Sequence, residues 1–295
     1  MTSRAALLTC LTALVVGCGA GNATTQAASS RTFESVANLG PVINSENFEG
    51  GPSLSADGRS LYFISDRDTT TGGDIWMASR ASAAEPFANP VNLGPTVNSS
   101  SDEGAPSISA DGLELFFDRS PEGHLFVARR SSVSEPFGKA ALIDLGTTEC
   151  CDGFPNISAD GLDLYFCSNR PGGFGGDDVW RARRSSRSSP FGTAENLGPT
   201  VNGAANDCDP GISTDGLTLF IASDRKGGLG ALDLWVLTRA TRSVQFANAT
   251  NLGRNVNSGF VDRRPAISSD GELLLFMSDR SGGAGFFDLW QARRG

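Results

Sequence analysis

Pro155-Asn156-Ile157-Ser158-Ala159-Asp160-Gly161-Leu162-Asp163-Leu164-Tyr165-Phe166 is an apolar run, a tight Asp-Gly turn and a second apolar run. The same sentence recurs around Asp57-Gly58, Asp111-Gly112, Asp215-Gly216 and Asp270-Gly271, at intervals of 54, 49, 55 and 55 residues. A fixed period of that size is the signature of a solenoid, a propeller or an array. One repeat array therefore overrides the two domains that a length of 295 residues would suggest.

Each copy holds four short apolar segments. The first is the PSLS-type run before Asp-Gly, and the second is Leu61-Tyr62-Phe63-Ile64 and its equivalents. The third is Asp74-Ile75-Trp76-Met77, matched by Asp178-Val179-Trp180, Asp233-Leu234-Trp235 and Asp288-Leu289-Trp290. The fourth holds a Phe and then Val91-Asn92-Leu93-Gly94 or its equivalent. Segments of that length with Gly-bearing turns predict four-stranded antiparallel units.

The two ends decide between an open stack and a ring. Phe33 to Gly40 is a copy of segment four with no segments one to three before it, while the last repeat stops after segment three at Trp290-Gln291-Ala292-Arg293. An open array would expose an unpaired edge. A ring whose N-terminal strand completes the last unit removes that edge. The fold predicted is all-β: a five-bladed β-propeller over residues 32–295.

The stretch before residue 32 reads differently. Arg4, the apolar run from Ala5 to Val16 and Val15-Val16-Gly17-Cys18 have the order of a bacterial lipoprotein signal, with Cys18 as the lipidated residue. The domain reading is a signal peptide over 1–17, a flexible Ala/Ser/Thr-rich tether over 18–31, then the propeller. The implied location is the bacterial cell envelope, lipid-anchored at the outer membrane, with a secreted or periplasmic protein as the alternative. The lipid anchor is the sole membrane contact expected. A formal charge of −9 argues against a nucleic-acid partner.

The SxDGxxLyF run, the S-D/N-R after it, the Gly-rich turn and the D-[IVL]-W strand resemble the TolB-type (WD-like) propeller repeat. Arg170-Pro171-Gly172-Gly173-Phe174-Gly175-Gly176 resembles copies found beside OmpA-like domains of envelope proteins. The resemblance runs from about Phe33 to Gly295 and implies the fold; such propellers serve many roles. Blade two departs from it, with a shorter turn, His124 for the strand-three Asp and Phe126 for the Trp.

Several side chains invite a functional reading. Glu49, Glu103, Asp152, Asp207 and Asp262 each stand three residues before the strand-one Pro. They are expected to ring the channel mouth, either as struts bonded to their own blades or as a binding site. In the second case Arg263 and Arg264 neutralise part of the charge and Ca²⁺ or a cationic partner group the rest. Arg67, Arg170, Arg225 and Arg280 are expected to face Asp74, Asp178, Asp233 and Asp288 across a hairpin, and His124 to face Arg119. Cys167 reads as a buried thiol, while Cys151 can bridge to Cys208 or to the vicinal Cys150. No CxxC pair suggests structural zinc. The candidate acids recur with the blades, as a scaffold would place them, and no catalytic residue is assigned. The function expected is a monomeric, non-catalytic binder of an envelope protein or a glycan, without a cofactor unless Ca²⁺ occupies the ring. The alternative is a glycosidase with paired carboxylates in the central funnel.

Overall fold

Every repeat turns the chain in the same way. Ser158 Oγ and Leu162 N both donate to Asp160 Oδ1, at 2.6 and 3.0 Å, and Gly161 takes a φ of 75°. Ser158 Oγ then accepts Asp163 N at 2.9 Å, so the turn and the start of the next strand share one polar cluster. The Asx geometry explains why Ser-x-Asp-Gly recurs.

The computed structural model describes residues 32–68, 72–146 and 151–295. The lipobox Cys18, the signal segment 1–17 and the tether 18–31 lie outside these residues, as does Cys150. The folded unit is Thr32–Gly295. After β1 (Phe33–Asn38), blade one is β2 (Glu49–Leu54), β3 (Ser60–Ser65), β4 (Asp74–Ser79) and β5 (Val91–Asn92). Blade two is β6 (Asp102–Ile108), β7 (Glu114–Ser120), β8 (His124–Arg129) and β9 (Ala141–Leu142). Blade three is β10 (Asp152–Ile157), β11 (Asp163–Ser168), β12 (Asp178–Arg183) and β13 (Glu195–Asn196). Blade four is β14 (Asp207–Ile212), β15 (Thr218–Ser223), β16 (Asp233–Thr238) and β17 (Ala247–Asn251). Blade five is β18 (Asp262–Ile267), β19 (Leu273–Ser278) and β20 (Asp288–Arg294), completed by β1 in the order β1-β20-β19-β18. The five-bladed propeller closed by its N-terminal strand is therefore the fold.

Closure reproduces the contacts of the other blades. An Arg at the end of strand three or just after it donates its Nε to the Gly carbonyl of the Asp-Gly turn and lies over the strand-four Phe. Arg80 sits 4.3 Å from the Phe87 ring, Arg130 4.4 Å from Phe137, Arg184 4.8 Å from Phe191 and Arg239 4.2 Å from Phe246. In blade five the ring is Phe33, 4.8 Å from Arg294. Such contacts contribute about 0.5–2 kcal/mol each. Blade five then packs on blade one, with Leu275, Met277 and Leu289 against Ile43, Leu61 and Phe63.

The Gly-rich turns are hairpin turns, as their repetition suggests, and their glycines are required by space. A Cβ on Gly175, Gly230 or Gly285 would lie 2.1, 1.8 or 1.7 Å from a backbone oxygen of the loop entering the next blade. The turn thus locks neighbouring blades together.

The disulfide joins Cys167 on β11 to Cys208 on β14, and Cys151 is a free, exposed thiol. This corrects both the Cys151–Cys208 pairing and the reading of Cys167 as a free thiol. Cys208 packs against the preceding blade's second strand, which repeat alignment within one blade does not reveal. Spanning 41 residues and two blades, the bond is worth about 4 kcal/mol in the chain-entropy account.

Candidate functional site at the channel mouth

Glu49, Glu103, Asp152, Asp207 and Asp262 occupy one repeated position of the five blades. Each lies at the start of strand one, is buried, and receives an Arg from the end of strand two of its own blade or just beyond it. Arg67 reaches Glu49 at 3.1 Å, Arg119 reaches Glu103 at 2.8 Å and Arg170 reaches Asp152 at 2.7 Å. Arg225 and Arg280 pair likewise with Asp207 and Asp262. Backbone amides from the preceding loop complete four of these sites, from Ser45, Ser99, Gly203 and Ser258. Of the two expected roles the geometry is that of struts. Glu103 does lie above the usual carboxylate range, because burial outweighs its bonds to Ser99 and Arg119.

The expected Arg–Asp pairing across the hairpin is also corrected. Asp178 and Asp288 instead accept the Gly-rich-turn amides of Phe174 and Ala284, each at 2.6 Å. Asn92, Asn196, Asn251 and Asn38 of strand four donate to Asp74, Asp178, Asp233 and Asp288 at 2.7–3.1 Å. The arginines turn the other way because the strand-three indole carries them. Arg67, Arg170, Arg225 and Arg280 lie 5.3 or 5.4 Å from Trp76, Trp180, Trp235 and Trp290. In blade two Phe126 does this for Arg119 at 4.3 Å, and His124 pairs with Arg119 in the strand register as expected.

Asymmetry begins two residues further along strand one. All five innermost strands shift register there, and the residue before each Pro adopts a left-handed φ: Gly51 57°, Ala105 32°, Phe154 53°, Asp209 52° and Arg264 54°. Glycine takes that conformation freely, whereas other residues lose roughly 1–2 kcal/mol. Bulges of this kind re-aim side chains. These five residues line one cavity on the channel axis, together with Asn156 and four of the prolines, Pro52, Pro106, Pro210 and Pro265. The channel's other end, beside the Asp-Gly turns, is lined by small and aliphatic residues such as Ala56, Ala110, Ala159, Thr214 and Ser269.

The bulge residues of blades three to five carry the chemistry. Arg263 donates to Asp209 through Nε at 2.8 Å and Nη2 at 3.1 Å, and Arg264 N donates to the same carboxylate at 3.2 Å. Both guanidinium groups lie over the Phe154 ring, at 5.1 and 4.7 Å. Blades three and five thus meet across the axis. Asp118, where the other blades have Ile64, Cys167, Ala222 and Met277, accepts Phe154 N at 2.9 Å. Its carboxylate fills the space over Gly104, where a Cβ would stand 2.2 Å away. The half-buried Asp177 adds a third acid that interacts with Arg263 and Asp209.

These groups hold their protons differently. Burial pushes Asp118 up, helped by Asp209 and opposed by Arg264. Asp177 is raised by burial and by the neighbouring Asp209 and Asp178. Asp209 resists the same burial and is held below the usual range by Arg263 and Arg264. Arg264 is lowered by burial and by Arg263 to about 10, and stays cationic at neutral pH. Its Nε and Nη1 are closed to solvent and have no hydrogen-bond acceptor. A buried donor left so costs about 1–3 kcal/mol, more when charged.

Sequence reading placed Arg263 and Arg264 near the mouth and missed Asp118, Phe154, Asp177 and Asp209. The signal was available: the residue before the repeated Pro changes from Gly to Ala, Phe, Asp and Arg while its surroundings repeat.

No protein-family model matches the chain, and no curated protein does. Solved structures show the same fold. TolB from Acinetobacter baumannii is 16% identical with a TM-score of 0.52 over 86% of this chain and 57% of that one. A putative TolB from Agrobacterium tumefaciens is 19% identical with a TM-score of 0.51, over 84% of this chain and 78% of that one. The catalytic domain of the Coprinopsis cinerea GH62 alpha-L-arabinofuranosidase is 13% identical with a TM-score of 0.60, over 90% of this chain and 98% of that one. The present chain thus spans little more than half of the Acinetobacter protein. Likeness at these identities establishes the propeller and nothing finer.

Proposed function

We propose that this chain is a non-catalytic, lipid-anchored propeller of the bacterial cell envelope that binds a protein or glycan partner at the charged mouth of its channel. The observation that carries the reading is the strand-one bulge. Phe154, Asp209 and Arg264 occupy left-handed positions that glycine fills at no cost in blade one. Strain retained at one place, against the symmetry of the repeat, points to use. Exposed aromatics on the same end of the molecule support a docking face: Phe174 and Phe286 in the Gly-rich turns and Phe260 in the loop entering blade five. Anchoring rests on the lipobox at Cys18. Capture from envelope extracts with the wild type and with Phe154→Ala and Phe286→Ser tests the binding face. A partner retained equally by all three overturns it. Fatty-acid labelling that is absent, or unchanged by Cys18→Ala, overturns the anchor.

One observation favours the glycosidase alternative. Asp118 and Asp177 are held above the usual range and Asp209 below it at a single mouth, the divergence that acid and base roles require. Against it, Asp209 already accepts three hydrogen bonds from Arg263 and Arg264, which leaves it poorly placed to activate water. Turnover of arabinofuranosides or xylosides that Asp118→Asn removes would reverse the order of the two readings.

A further inference from the structure

At the end of the molecule that carries the Asp-Gly turns, the grooves between neighbouring blades are not alike. Between blades two and three the groove is filled by the protein's own charges. Glu114 of blade two pairs with Arg184 of blade three, and Arg187 of blade three pairs with Asp111 of blade two. Arg187 also donates to the Asp160 carbonyl at 3.2 Å and reaches that of Ala159 at 3.5 Å. Between blades three and four Arg242 does the same with Asp160, Asp215 and Thr214.

Between blades one and two both of these plugs are replaced. Ser60 stands at the position of Glu114 and Val133 at that of Arg187. The glycine beneath marks the equivalence: a Cβ on Gly161 would meet Arg187 Nε at 2.7 Å, and one on Gly112 would meet Val133 Cγ1 at 3.1 Å. Val133 thus ends where the guanidinium of Arg187 begins. Arg130, the counterpart of Arg184, keeps the Gly112 carbonyl and the Tyr62 hydroxyl but has no carboxylate among the described residues. It is half-buried, whereas Arg184 is buried. Asp57, the counterpart of Asp111, is exposed and accepts Ser55 Oγ and Arg59 N through Oδ1. Its Oδ2 meets no cation among the described residues, where Asp111 Oδ2 has Arg187. The space so opened measures about 480 Å³, and Asp57, Arg59, Tyr62, Met77, Arg130 and Val133 are among its walls. That is an ordinary size for a ligand site. Between blades five and one Ala83 also replaces the arginine, but the buried Leu273 fills the place of Ser60.

We infer that the groove between blades one and two binds an arginine with a free carboxylate, either the amino acid itself or the last residue of a peptide. Its carboxylate meets Arg130 as Glu114 meets Arg184, and its guanidinium meets Asp57 and the Ala110 carbonyl as Arg187 meets Asp111 and the Ala159 carbonyl. Planar carboxylate and guanidinium groups are matched partners, and the next groove already pairs both. The spacing suits a single residue, because Arg187 and Arg184 donate their Nε to the carbonyls of consecutive residues, Asp160 and Gly161. The ligand's methylene chain lies over Val133 and Met77. Arg59 at the rim, where blade three has Leu162, adds a second cation for the carboxylate. This groove is at the opposite end of the channel from the mouth, and its ligand does not depend on what the mouth binds.

The test is calorimetric titration of the full chain at fixed ionic strength with L-arginine and with N-acetylglycyl-L-arginine. Citrulline, which lacks the positive charge, and agmatine, which lacks the carboxylate, are the controls. The expected result is saturable binding of at least one of the two arginine ligands, with citrulline and agmatine at least tenfold weaker. Binding of the acetylated dipeptide at least as tight as that of L-arginine assigns the source to a peptide end, and its loss assigns it to the free amino acid. Val133→Arg and Ser60→Glu restore the plugs of the next groove, and Asp57→Asn removes the anion; each should weaken binding at least tenfold. Near-ultraviolet dichroism of the four tryptophans establishes that each variant is folded. Asp57 and Val133 are exposed, so their variants keep the test decisive should Ser60→Glu fail to fold. The inference falls if folded wild type binds neither arginine ligand, if citrulline or agmatine binds as tightly, or if folded Val133→Arg and Asp57→Asn bind as wild type does.

Discussion

Asp209 of blade four and Arg263 of blade five are joined by two hydrogen bonds, 2.8 Å from Nε and 3.1 Å from Nη2, with the Arg264 amide on the same carboxylate at 3.2 Å. Asp118 of blade two repeats part of this relationship by accepting the bulge amide of Phe154 in blade three at 2.9 Å. In both cases a carboxylate from one blade fixes the left-handed residue of the next. The mouth is thus built by contacts between blades, whereas the struts lie within them.

The strain at the bulge can be measured where no charge is involved. Ala105 has a φ of 32° and contributes only a methyl group. Ala105→Gly removes a left-handed penalty of roughly 1–2 kcal/mol and adds about 0.5–1 kcal/mol of unfolded-state entropy. The expected result in urea unfolding is a gain of up to about 1.5 kcal/mol. Phe154→Gly relieves the same strain but removes the ring beneath two guanidinium groups, and is expected to lose stability.

The strut reading of the acidic ring predicts its own failure mode. Glu103→Gln with Asp152→Asn leaves Arg119 and Arg170 without their anionic partners, and Arg170 is buried. Removing one partner of a buried pair costs about 3–5 kcal/mol. The double variant should therefore unfold at much lower urea concentration, and wild type should release no heat on titration with Ca²⁺. Saturable Ca²⁺ binding by wild type, lost in a double variant of unchanged stability, would restore the ring as a site.

Blades and closure were legible because they rest on local chemistry that repeats. The Ser-x-Asp-Gly cluster, the glycines against the next loop and the Phe beneath each Arg are written five times or nearly so, and the surplus strand at one end matches the deficit at the other. The site was hard to read for the opposite reason. Asp118 occupies a position where other blades hold apolar residues, and Asp209 stands two residues from the repeated acid that drew attention. Arg67 and its equivalents flank both Glu49 and Asp74 in sequence terms, and Trp76 decides between them by the side on which it supports the guanidinium. Repetition marked the scaffold, and departures from it marked the mouth.

Closure of the ring is open to direct test. Phe33 is 6% exposed, packs edge-on against Phe220 of blade four at 6.0 Å and lies beneath Arg294. Phe33→Ala should cost about 3–5 kcal/mol. Deleting residues 32–44 also removes the β1–β20 ladder and the two bonds between Asn44 and the Leu289 backbone at 2.9 and 3.0 Å. That deletion should lower the melting temperature sharply, while deletion of residues 21–30 should leave it unchanged. Equal melting temperatures for the two deletions would be incompatible with a ring closed by β1.

Asp118 and Asp209 should give opposite pH dependences. Asp118 has a folded pKa above its ordinary value, chiefly through burial. The folded state therefore binds more protons than the unfolded chain between the two values, and stability falls as pH rises through that window. Asp118→Asn retains an oxygen for the Phe154 amide and removes this loss, so its stability relative to wild type should rise from pH 4 upward and then level off. Asp209 has a folded pKa below its ordinary value, through Arg263 and Arg264 acting against burial. Its contribution is present above the unfolded value near 4 and is lost as pH falls through the folded one. Asp209→Asn should therefore be most damaging at neutral pH, by about 3–5 kcal/mol for a broken buried pair, and less so in acid. Urea unfolding of wild type and both variants from pH 3 to pH 8 measures the two trends together. Parallel curves for the two variants would show that the mouth does not hold its two carboxylates in different states.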